Sequence, residues 1–166
     1  RPADDDGSWH RAPLPERFFF YPAVCYPHKN HALLLDALVA LRAQTGRCPA
    51  AVFTGFELPQ GYPLRSEIAR RGLGGGCHVF DEVDVDELRY LYRHALALVM
   101  PTKFEGFGLP AIEALACGCP PLLADVPALR EVAGQHALFF DPENRAELAE
   151  LLQRVENDAT LRQRDQ

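Results

Sequence analysis

Glu105-Gly106-Phe107-Gly108-Leu109-Pro110-Ala111-Ile112-Glu113 decides how the rest of this sequence is read. Just before it, Ala97-Leu98-Val99-Met100 is an unbroken apolar run of strand length and reads as a short buried strand. Just after it, Pro110 suits the opening of a helix, where its missing N–H costs nothing and its φ is already helical. The stretch therefore predicts a strand, a tight turn and a helix start. Gly106 and Gly108 let the backbone approach a ligand, and the unpaired N–H groups at the helix top attract anions. Glu105 in the turn and Glu113 in the first turn or so of the helix then point into one crevice at the carboxyl end of the strand, where open parallel α/β sheets bind ligands. A structural turn explains two glycines, and the helix dipole stabilises an early glutamate by about 0.3–1 kcal/mol. It has no need of both carboxylates.

The same alternation runs outward in both directions. Phe18-Phe19-Phe20-Tyr21 is the first strand, broken by Pro22-Ala23, and Leu34, Ala37, Leu38 and Leu41 recur at helical spacing after it. Between them lies Val24-Cys25-Tyr26-Pro27-His28-Lys29-Asn30, a loop that puts the Lys29 cation within reach of a phosphate. Lys29 near a helix start stands against the local dipole, which favours a functional role for it. Ala50-Ala51-Val52-Phe53-Thr54-Gly55 is a second strand whose terminal Gly55 admits either a ligand or a simple turn. A helix over Tyr62 to Arg71 ends in glycines, and Cys77-His78-Val79-Phe80 is a third strand. Asp84 with Glu87 forms a capping box ahead of the stripe Leu88, Leu91, Tyr92 and Ala95, which explains Asp84-Val85-Asp86 better than a metal site does. Leu122-Leu123-Ala124, a short helix from Leu129 to Ala133, Ala137-Leu138-Phe139-Phe140 and a helix marked by Leu148, Leu151, Leu152 and Val155 complete the series. About six strands alternating with amphipathic helices predict an α/β fold: a doubly wound, Rossmann-like parallel sheet with helices on both faces.

Composition narrows the function classes. The 166 residues fit one domain with one core, and 48% hydrophobic with 24% charged residues is ordinary for a soluble globular chain. A formal net charge of -6 argues against nucleic acid as a partner, because neutralising phosphates needs a basic face. The five cysteines show no metal or disulfide spacing, which points to free thiols in a reducing compartment. No signal-peptide pattern and no apolar run of about 18 residues is present, so no membrane contact is encoded in the segment. Asp4-Asp5-Asp6 reads as part of an acidic linker rather than a metal site, and Trp9 as an aromatic packed on the domain edge. The start at Arg1 rather than Met suggests a piece of a longer polypeptide.

In these residues the chain resembles the nucleotide-sugar-dependent retaining glycosyltransferases of family 4, whose second domain carries a Glu, seven residues, then another Glu. The resemblance runs through Pro27-His28-Lys29-Asn30-His31, Asp86-Glu87-Leu88, Met100-Pro101-Thr102, Glu113-Ala114-Leu115-Ala116-Cys117-Gly118, Ala124-Asp125-Val126, Leu129-Arg130-Glu131-Val132 and Phe140-Asp141-Pro142. It spans about residues 18 to 156 in the family's order. It implies one half of a GT-B fold: a linker over 1–16, a donor-binding domain over 17–156 and a frayed tail over 157–166, the acceptor half being absent.

What the resemblance implies for chemistry is a hexosyltransferase that needs no metal and no cofactor, with a UDP- or GDP-linked sugar as donor. The isolated domain is then inactive. The complete polypeptide passes the sugar to a glycan or lipid-linked acceptor through the missing domain, in surface-polysaccharide synthesis, in the cytoplasm or at the inner face of the membrane. Lys29 meets the donor pyrophosphate, assisted by the backbone of Gly106, Phe107, Gly108 and Leu109. Glu105 takes the hydroxyls of the transferred sugar and Glu113 those of the ribose. Gly55 and the main chain of Val83 lie by the donor. The family usually has Arg where this chain has Val24, and Gly where it has Ala23. That departure keeps a second reading open, a nucleotide-binding or regulatory module without chemistry; a sugar-nucleotide epimerase shares the architecture but not the loop pattern.

Overall fold

The computed structural model describes residues 7–158. Six parallel strands form one sheet in the order β3-β2-β1-β4-β5-β6. They are β1 (Phe18–Pro22), β2 (Ala50–Thr54), β3 (Cys77–Phe80), β4 (Ala97–Met100), β5 (Pro121–Ala124) and β6 (Leu138–Phe140). The helices between and after them are α1 (His31–Thr45), α2 (Leu64–Arg70), α3 (Val85–His94), α4 (Leu109–Ala116), α5 (Pro127–Ala133) and α6 (Arg145–Asn157). α1 packs against α2 and α6, while α4 packs against α3 and α5, so the sheet is covered on both faces. Strands so enclosed must be apolar on both sides. Phe18, Phe19, Phe20 and Tyr21 are accordingly all buried, as is the whole of β4.

β1 sits at the centre, with Phe20 paired to Val52 of β2 on one side and to Leu98 of β4 on the other. The chain winds from β1 through β2 to β3, then returns to β4 and winds the opposite way. The β1/β4 boundary is therefore the topological switch point, and the loops leaving these two strands diverge to opposite faces and open a crevice between them.

Several boundaries move from their expected places, each for a local reason. Pro22 does not break β1 but ends it, opposite Thr54. α2 starts at Leu64 rather than Tyr62, because the Tyr62 amide donates to Cys25 O at 2.7 Å and is held in the preceding loop. α5 starts at Pro127, ahead of Leu129, since proline suits a first helical turn. The Asp84–Glu87 capping box is present in both directions, at 2.8 and 3.0 Å. Residues 7–16 contain no helix or strand, yet they pack on the β3–α3 edge. Trp9 meets Phe80 edge-on at 4.9 Å, and Arg11 makes a two-pronged ion pair with Glu87 at 2.7 and 2.8 Å. Asp4-Asp5-Asp6 and most of the expected frayed tail lie outside the described residues.

Candidate functional site

The loops after β1 and β4 are bound to each other before any side chain reaches the crevice. Lys103 N donates to His28 O at 2.8 Å, and Thr102, fully buried, has its hydroxyl 2.6 Å from Phe104 O and 3.2 Å from His28 O. From below, the buried Tyr21 hydroxyl donates to Lys29 O at 2.7 Å. Burial raises the Tyr21 phenol well above its ordinary pKa, and the nearby Glu105 charge raises it further.

This framework brings Lys29 and Glu105 together: Nζ lies 2.8 Å from Oε2, with side chains 19% and 12% exposed. The two residues are 76 positions apart in the chain. Lys29 closes a 3-10 turn over Pro27–Lys29 and stands two residues ahead of α1, so it lies near a helix start as expected, against the α1 dipole, and the Glu105 carboxylate supplies its partner.

On the β4 side, Gly108 is the residue before α4 and takes φ 80°. The positive φ favours glycine, and a Cβ there would stand 2.6 Å from Leu129 Cδ2, so the buried Leu129 side chain would have to shift to admit it. No side chain caps α4 and no acidic residue stands in its first turn. Pro110 is its second residue, and Gly106 faces open space. Phe107 and Leu109 are exposed at this rim. Glu113 stands in the second turn rather than the first. Its Oε2 accepts a 2.7 Å hydrogen bond from Tyr92, whose buried ring rests edge-on against Phe20. Burial, with the Glu113 acceptor added to it, raises the Tyr92 phenol far above its usual range. The phenol is thus a fixed donor that orients one carboxylate oxygen and leaves the other without a hydrogen-bond partner among the described residues.

On the β2–β3 side, Gly55 has φ 128°, and a Cβ there would fall 2.4 Å from Ala23 O. Close approach of the β1 loop is therefore reason enough for this glycine. Val83 lies half-buried between β3 and α3. Among the described residues no side-chain hydrogen bond or ion pair links Gly55 or Val83 to the Lys29–Glu105 pair. Two further residues at the crevice carry no signal in the sequence: Tyr92, which its helical stripe assigns to the core, and Asn30, whose amide bridges loops far apart in the chain. Among the described residues no group of three or more His, Cys, Asp or Glu side chains is placed to hold a metal, and no helix is long and apolar enough to cross a membrane.

The parallel doubly wound sheet, with Lys29 and Glu105 paired at its switch point, matches the Rossmann-like halves of the GT-B architecture. The chain belongs to the family of glycosyl transferases group 1, which matches residues 8–165. It is 39% identical over 147 residues to the O-antigen chain mannosyltransferase RfbU of Salmonella typhimurium, covering 85% of this chain and 39% of that one. It is 32% identical over 143 residues to O-antigen chain mannosyltransferase B of Escherichia coli, covering 86% and 38%. The chain thus spans about two fifths of the length of these relatives. Among solved structures, sucrose-phosphate synthase from Thermosynechococcus elongatus superposes with a TM-score of 0.75 at 26% identity, over 90% of this chain and 38% of that one. The C-terminal domain of the group 1 glycosyl transferase LpcC from Francisella tularensis superposes with a TM-score of 0.71 at 23% identity, over 90% and 80%.

Proposed function

We propose that this chain is the donor-binding domain of a retaining hexosyltransferase that takes its sugar from a nucleoside diphosphate without a metal. The 2.8 Å Lys29–Glu105 contact across the switch point carries the reading, because it puts a cation and a sugar-reading carboxylate at one spot. As the glycosidic bond breaks, negative charge grows on the departing diphosphate. Lys29 and the uncapped amides of α4 stabilise that charge more in the transition state than in the ground state. Ionised carboxylates only accept hydrogen bonds, which suits Glu105 to the hydroxyls of the transferred sugar and Glu113, oriented by Tyr92, to those of the ribose. Gly55 and the Val83 main chain line the flank toward the base.

In the complete polypeptide, a second domain supplies the acceptor, a glycan or a lipid-linked glycan, on the cytoplasmic side of the membrane. The O-antigen relatives support surface polysaccharide as the product class and mannose as the first sugar to try. Calorimetric titration of this chain with UDP, GDP and ADP, repeated with Lys29→Ala, tests the reading. One nucleotide binds, and its affinity falls about tenfold or more in the variant, as expected for loss of a charged hydrogen bond. Equal affinity in the two proteins, or no binding by a folded wild type, overturns it. Transfer of sugar by the complete polypeptide excludes a binding-only role.

A further inference from the structure

Asn30 takes φ 57° and ψ 39°, and among the described residues it is the only non-glycine with positive φ. Asparagine tolerates this region better than most residues, yet such a conformation persists only where surrounding contacts enforce it. It also occupies the position before α1, where an asparagine ordinarily turns its side-chain oxygen onto the helix's own amides. Here no such bond forms. The side chain points away from the helix, and Nδ2 donates at 2.9 Å to Pro101 O and at 2.9 Å to Pro142 O. Both partners are carbonyls, so the amide nitrogen must face them, and both of its hydrogens are used.

Pro101 follows β4 and leads to Glu105; Pro142 follows β6. We propose that Asn30 is a positioning residue that staples the loops after β1, β4 and β6 and thereby sets the Lys29–Glu105 pair. Lys29 is held on both sides: His28 O accepts from Lys103 N with the Thr102 hydroxyl 3.2 Å away, and Asn30 reaches back to Pro101 of the same β4 loop. Asn30 further connects this frame to the β6 loop. A helix cap has been exchanged for two cross-links that join three loops beside the ion pair the site depends on. The consequence for donor binding rests on the function proposed above; the setting of the ion pair does not.

Two variants test it. Asn30→Asp keeps the shape and the backbone tolerance but presents acceptor to acceptor, and Asn30→Gly keeps the φ without a side chain. The Lys29 ammonium group is observed by nitrogen NMR, assigned by its loss in Lys29→Arg. In the wild type it gives a protected resonance through Glu105, and in both variants that resonance broadens while far-UV circular dichroism is retained. Nucleotide dissociation constants rise roughly tenfold with loss of the two bonds. An unchanged Lys29 resonance in the variants, or a wild-type resonance as exposed as that of a surface lysine, overturns the proposal. So does nucleotide affinity kept within about twofold where the wild type binds. If the wild type binds no nucleotide, the donor-site reading fails and the resonance alone judges the staple. If Asn30→Asp does not fold, Asn30→Gly decides.

Discussion

Replacing His31 by Phe should remove a defined share of the protein's acid sensitivity. His31 opens α1 immediately behind Lys29 and Asn30 and is 1% exposed. Its ring lies nearly parallel to Tyr62 with centroids 6.0 Å apart, 4.8 Å from Tyr21 and 6.1 Å from Phe53; Nε2 is 3.9 Å from Cys25 Sγ. Burial lowers its pKa from 6.5 to about 4; the Ala23 backbone opposes this and the Lys29 charge adds to it. Between those two values the unfolded chain binds a proton that the folded chain refuses. The stability held by the neutral ring is therefore full above pH 6.5 and is lost as pH falls toward 4. Over that interval, at 1.36 kcal/mol per pH unit, the loss is about 3 kcal/mol. Phe keeps an aromatic ring in the stack and cannot ionise. Urea unfolding of both proteins from about pH 7 to about pH 4 isolates the effect, because carboxylates common to both cancel in the difference. The wild type should lose about 3 kcal/mol more than the variant across the range. A wild-type-to-variant difference that does not change with pH would refute the assignment of a buried neutral imidazole at this place.

Gly108→Ala should cost about 1–3 kcal/mol, from a positive φ and a Cβ driven against Leu129, and it should weaken nucleotide binding by moving the α4 amides. Urea unfolding with parallel titration checks both, and unchanged stability would mean that the turn does not need glycine. Glu113→Ala should weaken binding of a plain nucleoside diphosphate, whereas Glu105→Ala should act mainly on the nucleotide sugar; equal losses for the plain diphosphate would contradict the division of roles. Tyr92→Phe should follow Glu113→Ala in direction at a smaller size and destabilise the fold by about 1 kcal/mol, read by calorimetry and thermal melting.

The elements of the fold were legible because each carries its own period. Phe18 to Tyr21 is apolar throughout, as a strand covered on both faces must be, and the α3 stripe repeats at helical spacing behind its capping box. Boundaries were less legible at Tyr62 and Pro127, where a tertiary hydrogen bond and a proline shift the start by a turn or less. The site was legible in part. Glu105 and Glu113 stand out because they bracket a glycine turn, and Gly108 does adopt the positive φ that such a turn suggests. Tyr92 carried no signal: its ring belongs to the core by its period, and only its hydroxyl, 21 residues from Glu113, serves the crevice.

The alternating strands and helices, the glycine turn before α4 and the two glutamates with seven residues between them are all written in the sequence. These are local properties, fixed by hydrophobic period, backbone freedom and helix chemistry within a few residues. The placing of β1 beside β4, by which Lys29 meets Glu105 across 76 positions and Asn30 reaches Pro142 across 112, comes from the packed fold alone. Strand order depends on how both faces of the whole sheet are covered. A contact between groups that far apart leaves no mark in the period of either segment.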